Sequence, residues 1–299
     1  MTATKPPSSR PPSPSSPSPT WRSLAAPPAA RRLFLQLLAL LPAAAVPMQL
    51  RAAEAVSDAT LSQWIHEAER VLRGRSSAAV MKMHIERSDY QRSYDLMVLS
   101  DDRSEPGKVL IRMLGPALWR GNATLKVGER ISFYDPRSRR ITVMGSSMLA
   151  DNWMGSHFSN DDLMRETDLA RHYGYELLQK TRDKDELGRP VERALLRLSP
   201  KPAAPVAWGK VEYQLQLLEG GKGASVLPLQ VDYFRRADDT QAQRSLRYSQ
   251  LKPLEGRVLP TRLTMKALDK PDEYTQIDYV RLKFDSDFGA DDFSERALR

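Results

Sequence analysis

The chain has no cysteine among its 299 residues, which excludes a disulfide framework, a thiolate metal site and a cysteine nucleophile. It also excludes a lipid-modified N-terminal cysteine, so a processed form is expected to be soluble. Histidine is almost as scarce. His66, His84, His157 and His172 are scattered, with neither an i, i+4 helical pair nor neighbouring cysteines. Neither a metal nor a cofactor is expected. Gly145-Ser146-Ser147-Met148 lacks the second glycine of a Gly-x-Ser-x-Gly elbow, and a Gly-rich phosphate loop is missing. Asp161 and Asp162 are adjacent, so on a helix they would point about 100° apart, which suits capping better than acid/base work. A non-catalytic protein is the expectation.

Acid is missing from the first 50 residues, where Lys5, Arg10, Arg22, Arg31 and Arg32 supply most of the formal net charge of +8. The remainder holds 40 basic residues against 37 acidic ones, or +3. A nucleic-acid partner needs basic residues gathered on one face, and this balance does not favour one. Long apolar runs are absent too, because Pro42 and Pro47 interrupt the run from Leu33 to Leu41 well short of the roughly 18 to 20 residues a membrane span needs.

What the leader does contain is Arg31 and Arg32 before that apolar run, then small residues at Ala43 to Ala45 and Ala52 to Ala55. That is the order of an export signal. Ala30-Arg31-Arg32-Leu33-Phe34-Leu35-Gln36 also fits a twin-arginine signal, so that route and ordinary secretion both stand. Residues 1 to 20, dominated by Pro, Ser and Thr, cannot build a core. The expected division is residues 1–55 as a Pro/Ser-rich extension plus signal peptide and 56–299 as one domain, placed in the periplasm.

The domain opens with a predicted helix. Ser57 or Asp58 can cap it, and Leu61, Ile65, Ala68, Val71 and Leu72 share one face before Gly74 ends it. From Val80 the period changes to two: Met81, Met83 and Ile85 alternate with Lys82, His84 and Glu86. The pattern recurs at Val109-Ile111-Met113, at Val211-Tyr213-Leu215-Leu217 and at Leu259-Thr261-Leu263-Met265, as antiparallel strands wet on one side. Turn signals separate them at Asp101 to Gly107, Val127-Gly128-Glu129, Asp135 to Ser138, Leu187 to Pro190, Glu219 to Gly223 and Glu255-Gly256-Arg257. Eleven to thirteen strands are expected, without parallel crossovers, plus a second helix around Asn160 to Leu169. In the last strand Ile277 and Tyr279 share one parity and Leu282 and Phe284 the other, which predicts a bulge near Val280.

A sheet of about eight strands can close and fill its interior with side chains, whereas eleven or more leave room inside. Met81, Met83, Met113, Met265, Phe133, Tyr213 and Tyr233 lie on the apolar faces, and flexible thioethers suit an exchangeable apolar guest. They also suit an ordinary core beneath a helix, and both readings stand at this point. Surface arginines such as Arg235, Arg236 and Arg244 could meet an anionic head group or line a solvated strand edge.

The stretch from Gly121-Asn122-Ala123-Thr124-Leu125-Lys126-Val127-Gly128 through Phe133-Tyr134-Asp135-Pro136 to Arg140-Ile141 and Trp153-Met154-Gly155-Ser156-His157-Phe158-Ser159-Asn160-Asp161-Asp162-Leu163 resembles the outer-membrane lipoprotein-sorting protein family, the LolA-like carriers of the bacterial envelope. The resemblance extends over residues 56–299 through the opening helix and the later Tyr/Asp-rich strands. It implies a mainly β fold with flanking α structure: one large antiparallel sheet curled into an incomplete half-barrel, LolA/LolB-like, with helices over its mouth. It further implies a monomeric carrier whose cavity takes acyl chains of lipids or lipoproteins from an inner-membrane transporter of the ABC or RND type toward an outer-membrane acceptor. No lid arginine can be assigned by motif. In the Trp153–Leu163 segment Trp153, Met154 and Phe158 could face the cavity, Gly155 could act as a hinge and Asp161 could cap a short helix; a structural plug at the barrel end is the alternative. An envelope sensor or transporter-accessory module on the same fold also stands.

Overall fold

The computed structural model describes residues 56–149, 151–160, 162, 169–204, 206–218 and 226–299. The leader expected over residues 1–55, the Glu219–Gly223 turn and most of the helix expected between Asn160 and Leu169, Asp161 included, lie outside the described residues.

Helix α1 (Asp58–Arg70) starts where a short polar side chain can replace a missing backbone partner. Ser57 is the N-cap, and its hydroxyl accepts the Thr60 N–H at 3.2 Å. Asp58 in the first turn and Arg70 in the last complement the helix dipole. Leu61, Ile65 and Ala68 are buried one above another on a single face. The helix ends as Gly74, at a left-handed φ of +60°, donates its N–H to the Arg70 carbonyl at 2.7 Å.

Thirteen antiparallel strands follow: β1 (Ser76–Glu86), β2 (Gln91–Asp101), β3 (Lys108–Gly115), β4 (Ala123–Val127), β5 (Arg130–Asp135), β6 (Arg140–Val143), β7 (Tyr173–Lys184), β8 (Pro190–Pro200), β9 (Lys210–Leu217), β10 (Val226–Phe234), β11 (Arg244–Leu254), β12 (Arg257–Ala267) and β13 (Tyr274–Phe284). A single turn of helix, α2 (Leu169–His172), leads into β7. All thirteen strands belong to one sheet in the order β6-β5-β4-β3-β2-β1-β13-β12-β11-β10-β9-β8-β7. Two meanders, β1–β6 and β7–β13, are therefore zipped together where β1 pairs with β13. The sheet's two edges, β6 and β7, are consecutive in the chain and do not pair, so the sheet curls without closing and residues 144–172 lead from one edge to the other. Both edges discourage further pairing. β6 is four residues long, and the outer half of β7 reads Gln179-Lys180-Thr181-Arg182-Asp183-Lys184.

The expected bulge is present. Val80 pairs with Arg281 and Met81 with Tyr279, so Val280 is skipped and left half exposed. Similar register shifts interrupt β2–β3 at Asp95/Leu96, β9–β10 at Pro228/Gln230 and β7–β8 at Leu177/Gln179, and each adds local bend to its strand.

The main core lies on the concave face, under α1. It includes Ile65, Met83, Ile85, Leu196, Leu198, Val211, Leu215 and Leu259, each at most 1 % exposed. Burying one such side chain is worth roughly 1.5–3 kcal/mol. The expectation of strands wet on one side fails at β3 and β4. There the C-terminal residues cross the convex face, so that Leu110, Ala123 and Leu125 pack against Phe293 and Leu298. Arg112 also donates to the Ala297 carbonyl, and Arg130 pairs with Glu295 at 3.1 Å. Alternation in one strand cannot reveal that a segment some 180 residues later will cover its polar face.

Candidate functional site

The concave face is incompletely filled. Between α1 and the sheet lies a cavity of about 200 Å³. Ala79 and Met81 of β1, Leu96 and Val98 of β2 and Ile111 of β3 form one wall. Leu246, Leu263, Met265 and Ile277 of β11–β13 form the other, and Ala68 of α1 with Val71 and Leu72 just past its end form part of the roof. Tyrosines punctuate this apolar lining at Tyr173, Tyr213, Tyr233, Tyr248 and Tyr279. Burial pushes the Tyr213 and Tyr233 phenols well above their ordinary pKa, so both stay neutral. Arg73 closes one end, donating to Ser100 Oγ at 3.0 Å and to Asp102 Oδ2 at 2.9 Å.

The rest of the roof is the segment that spans the open edge. Trp153 N–H donates to the Phe158 carbonyl at 2.8 Å, and Asn152 bridges Ser159, so the segment forms a tight loop that puts Trp153 and Phe158 on the cavity. Met154 and Gly155 take left-handed φ values of 54° and 76°. The second must be glycine, because an added Cβ would lie 2.8 Å from Tyr90 Oη. Gly155 is tied to the sheet through its backbone. Its carbonyl accepts from Tyr90 Oη at 2.8 Å and from Arg87 Nε at 3.1 Å.

Two arginines clasp this loop to the sheet. Arg87, in the β1–β2 turn, also donates to the Ser156 carbonyl at 2.8 Å and pairs with Glu273 at 3.1 Å. Beside it the His157 N–H donates to Thr275 Oγ1 at 2.9 Å, and Nδ1 lies 2.8 Å from the same oxygen. Burial, assisted by the Arg87 charge, lowers the His157 pKa to about 4, so the ring is neutral at neutral pH. Hydrogen bonds from Ser88, together with the charges of Lys270 and Arg87, hold the Glu273 carboxyl at about 2. The second clasp is Arg244 of β11. It reaches both oxygens of Asp162 at 2.7 and 2.8 Å and donates to the His157 carbonyl at 3.3 Å. Its guanidinium sits 4.8 Å from the Trp208 ring centre and 5.1 Å from that of Tyr233. Arg244 is thus largely buried and not a solvated edge residue, whereas Arg235 and Arg236 are exposed.

A second hollow of about 460 Å³ lies on the other side of Trp153, over β3–β6. Of the candidates named from sequence, Met81, Tyr213, Met265, Trp153 and Phe158 line the main cavity. Met113, Phe133 and Met154 line the second hollow, together with Trp153. Met83 lines neither and is packed in the core at 1 % exposure. Among the described residues no group of His, Cys, Asp and Glu could hold a metal ion, and no helix is long and apolar enough to cross a membrane.

An unclosed antiparallel sheet with a roofed apolar cavity defines the class. The chain belongs to a family described as uncharacterized proteins, whose model matches residues 105–299. No curated protein matches it. Among solved structures it is similar to a DUF1329 family protein from Desulfovibrio piger, at 18 % identity and a TM-score of 0.66 over 81 % of this chain and 99 % of that one. It is also similar to a LolA superfamily protein from Nitrosomonas europaea (19 %, TM-score 0.60, 81 % and 100 %). A third similar structure is an outer membrane lipoprotein-sorting protein domain from Vibrio parahaemolyticus (18 %, TM-score 0.59, 78 % and 96 %). The fold is LolA-like, as the resemblance at residues 121–163 implied.

Proposed function

We propose that the chain is a periplasmic carrier, without catalytic activity, that holds acyl chains of lipids or lipoproteins in the roofed cavity. An inner-membrane transporter of the ABC or RND type loads it, and an acceptor at the outer membrane empties it; the carrier travels as a monomer without cofactor. The observation that carries this reading is an apolar cavity whose roof is half fixed helix and half a loop held by polar clasps. The name of the Vibrio parahaemolyticus domain supports the same role.

The energetics ask for such a roof. Each methylene removed from water contributes roughly 0.8 kcal/mol, so a 16-carbon chain buried along its length binds tightly enough that release needs a better acceptor or an opening of the roof. A cavity of about 200 Å³ is smaller than the roughly 300–1,000 Å³ of common ligand sites, so seating a long acyl chain requires the roof to move. Cargo then shifts the balance toward an open state in which the clasps at Arg87 and Arg244 are released.

The same small volume favours a second reading, a sensing or transporter-accessory module whose interior is filled by its own side chains. Native mass spectrometry of the exported protein, followed by lipid extraction, separates the two. A discrete bound mass that proves to be a phospholipid or acylated peptide supports the carrier. A clean unliganded mass that persists after incubation with envelope lipids contradicts it and favours the module.

A further inference from the structure

We propose that the hollow beyond Trp153 is a second binding compartment, one that seats the polar head of a zwitterionic phospholipid whose tail runs past Trp153 into the main cavity. The proposal rests on the carrier reading above and adds to it the class of head group and the place where it binds.

The first ground is continuity. Ala79, Val98, Ile111, Thr124, Phe133 and Thr142 stand directly opposite one another on β1 through β6, forming one cross-strand row on the concave face. Ala79 and Val98 line the main cavity, Thr124, Phe133 and Thr142 line the outer hollow, and Ile111 lines both. Among the described residues the only other one common to both hollows is Trp153. One groove is thus divided above Ile111 by a single indole.

The indole is seated by packing more than by polar contact. Trp153 is 4 % exposed, yet its Nε1–H lies 3.4 Å from Thr124 Oγ1, long for a hydrogen bond. Its neighbours Met154 and Gly155 carry the left-handed backbone, so movement of the loop carries the indole with it.

The chemistry changes across the partition. The inner compartment is mostly aliphatic and aromatic along the sheet, with its charged groups, Arg73 and Asp162 among them, at its margins, while Asn122, Thr124, Ser138, Thr142, Asp135 and Arg140 give the outer one a hydrogen-bonding lining with one charge of each sign. Asp135 and Arg140 face each other in the β5–β6 pair, a separation of about 5 Å between opposed side-chain bases. The Asp135 carboxylate accepts the Arg137 N–H and the Ser138 hydroxyl, both at 2.9 Å, which fixes it in its ionised form. A lining that carries both a guanidinium and an ionised carboxylate complements a phosphate linked to an ammonium on both of its charges, whereas an anionic head leaves Asp135 without a counterpart in the ligand.

Three probes sharing a 16-carbon tail test this on the exported protein by titration calorimetry: palmitic acid, palmitoyl-lysophosphatidylethanolamine and palmitoyl-lysophosphatidylglycerol. The ethanolamine lipid is expected to bind tightest. Arg140→Gln and Asp135→Asn, both at the surface, are each expected to weaken it about tenfold while leaving palmitic acid unchanged. Unaltered binding of the ethanolamine lipid by both variants overturns the proposal, as does tighter binding of the glycerol lipid by the wild type. Equal affinity for all three probes removes the head-group compartment but leaves the carrier standing. Failure of all three to bind removes both.

Discussion

The two halves of the roof are held by different forces. Helix α1 lies on the sheet through Leu61, Ile65 and Ala68, whose burial is non-directional and has no intermediate state. The Trp153–Phe158 loop is held by hydrogen bonds and ion pairs to Arg87, Tyr90 and Arg244, each net worth about 1–3 kcal/mol because water competes for the same groups. The first is a fixed wall and the second a releasable one. A cavity that must both retain and surrender an apolar guest needs one of each.

The largest effect is expected on the fixed side. Ile65 is 0 % exposed, so Ile65→Ala should cost about 4 kcal/mol and shift the whole urea transition rather than one region of it.

Acid should act next, and on the loop. The His157 pKa of about 4 against an ordinary 6.5 means that the folded protein prefers the neutral ring. Stability is therefore complete above pH 6.5 and is lost as the pH falls from 6.5 toward 4, by about 3 kcal/mol in all. Urea titrations of wild type and His157→Gln across this window should diverge, with the variant showing the flatter profile; parallel profiles would exclude His157 as the cause.

Gly155→Ala places a methyl group against Tyr90 Oη in a left-handed backbone, at about 2 kcal/mol. Hydrogen exchange should quicken at residues 153–158 and stay unchanged in α1. Equal loosening of both would erase the distinction between the two halves.

Arg244→Ala is expected to cost about 2 kcal/mol, no more than Gly155→Ala, since the two-point pair to Asp162 and the His157 contact are lost together. Its consequence is kinetic: palmitic acid should load faster than in wild type, and an unchanged loading rate would mean that the Arg244–Asp162 pair does not hold the roof shut.

Features local in the chain were legible from sequence. Ser57 and the Leu61–Ile65–Ala68 stripe marked α1, turn residues marked the strand ends, and the parity change in β13 marked the bulge at Val280. Features assembled from distant segments were not. Arg244 looks like an edge charge until Trp208, Tyr233 and Asp162 are brought to it. Arg87 sits in a hairpin turn where an arginine is unremarked, and nothing local says that it reaches Gly155 and Ser156. Nor does alternation in β3 announce that Phe293 and Leu298 will cover its outer face. The aromatic candidates Trp153 and Phe158 were legible because a cluster of apolar residues in a polar connecting segment needs a surface to bury against, and the cavity supplies it.

The absence of cysteine makes the most direct measurement a clean one, because an introduced thiol is the only one in the chain. Met265 is 1 % exposed and lines the main cavity, so the thiol of a Met265→Cys variant reports on that space alone. Its labelling rate by a small maleimide should fall at least tenfold when palmitic acid is bound and rise when Arg244→Ala is added. Bound palmitic acid with an unprotected thiol would place the acyl chain elsewhere and contradict the account.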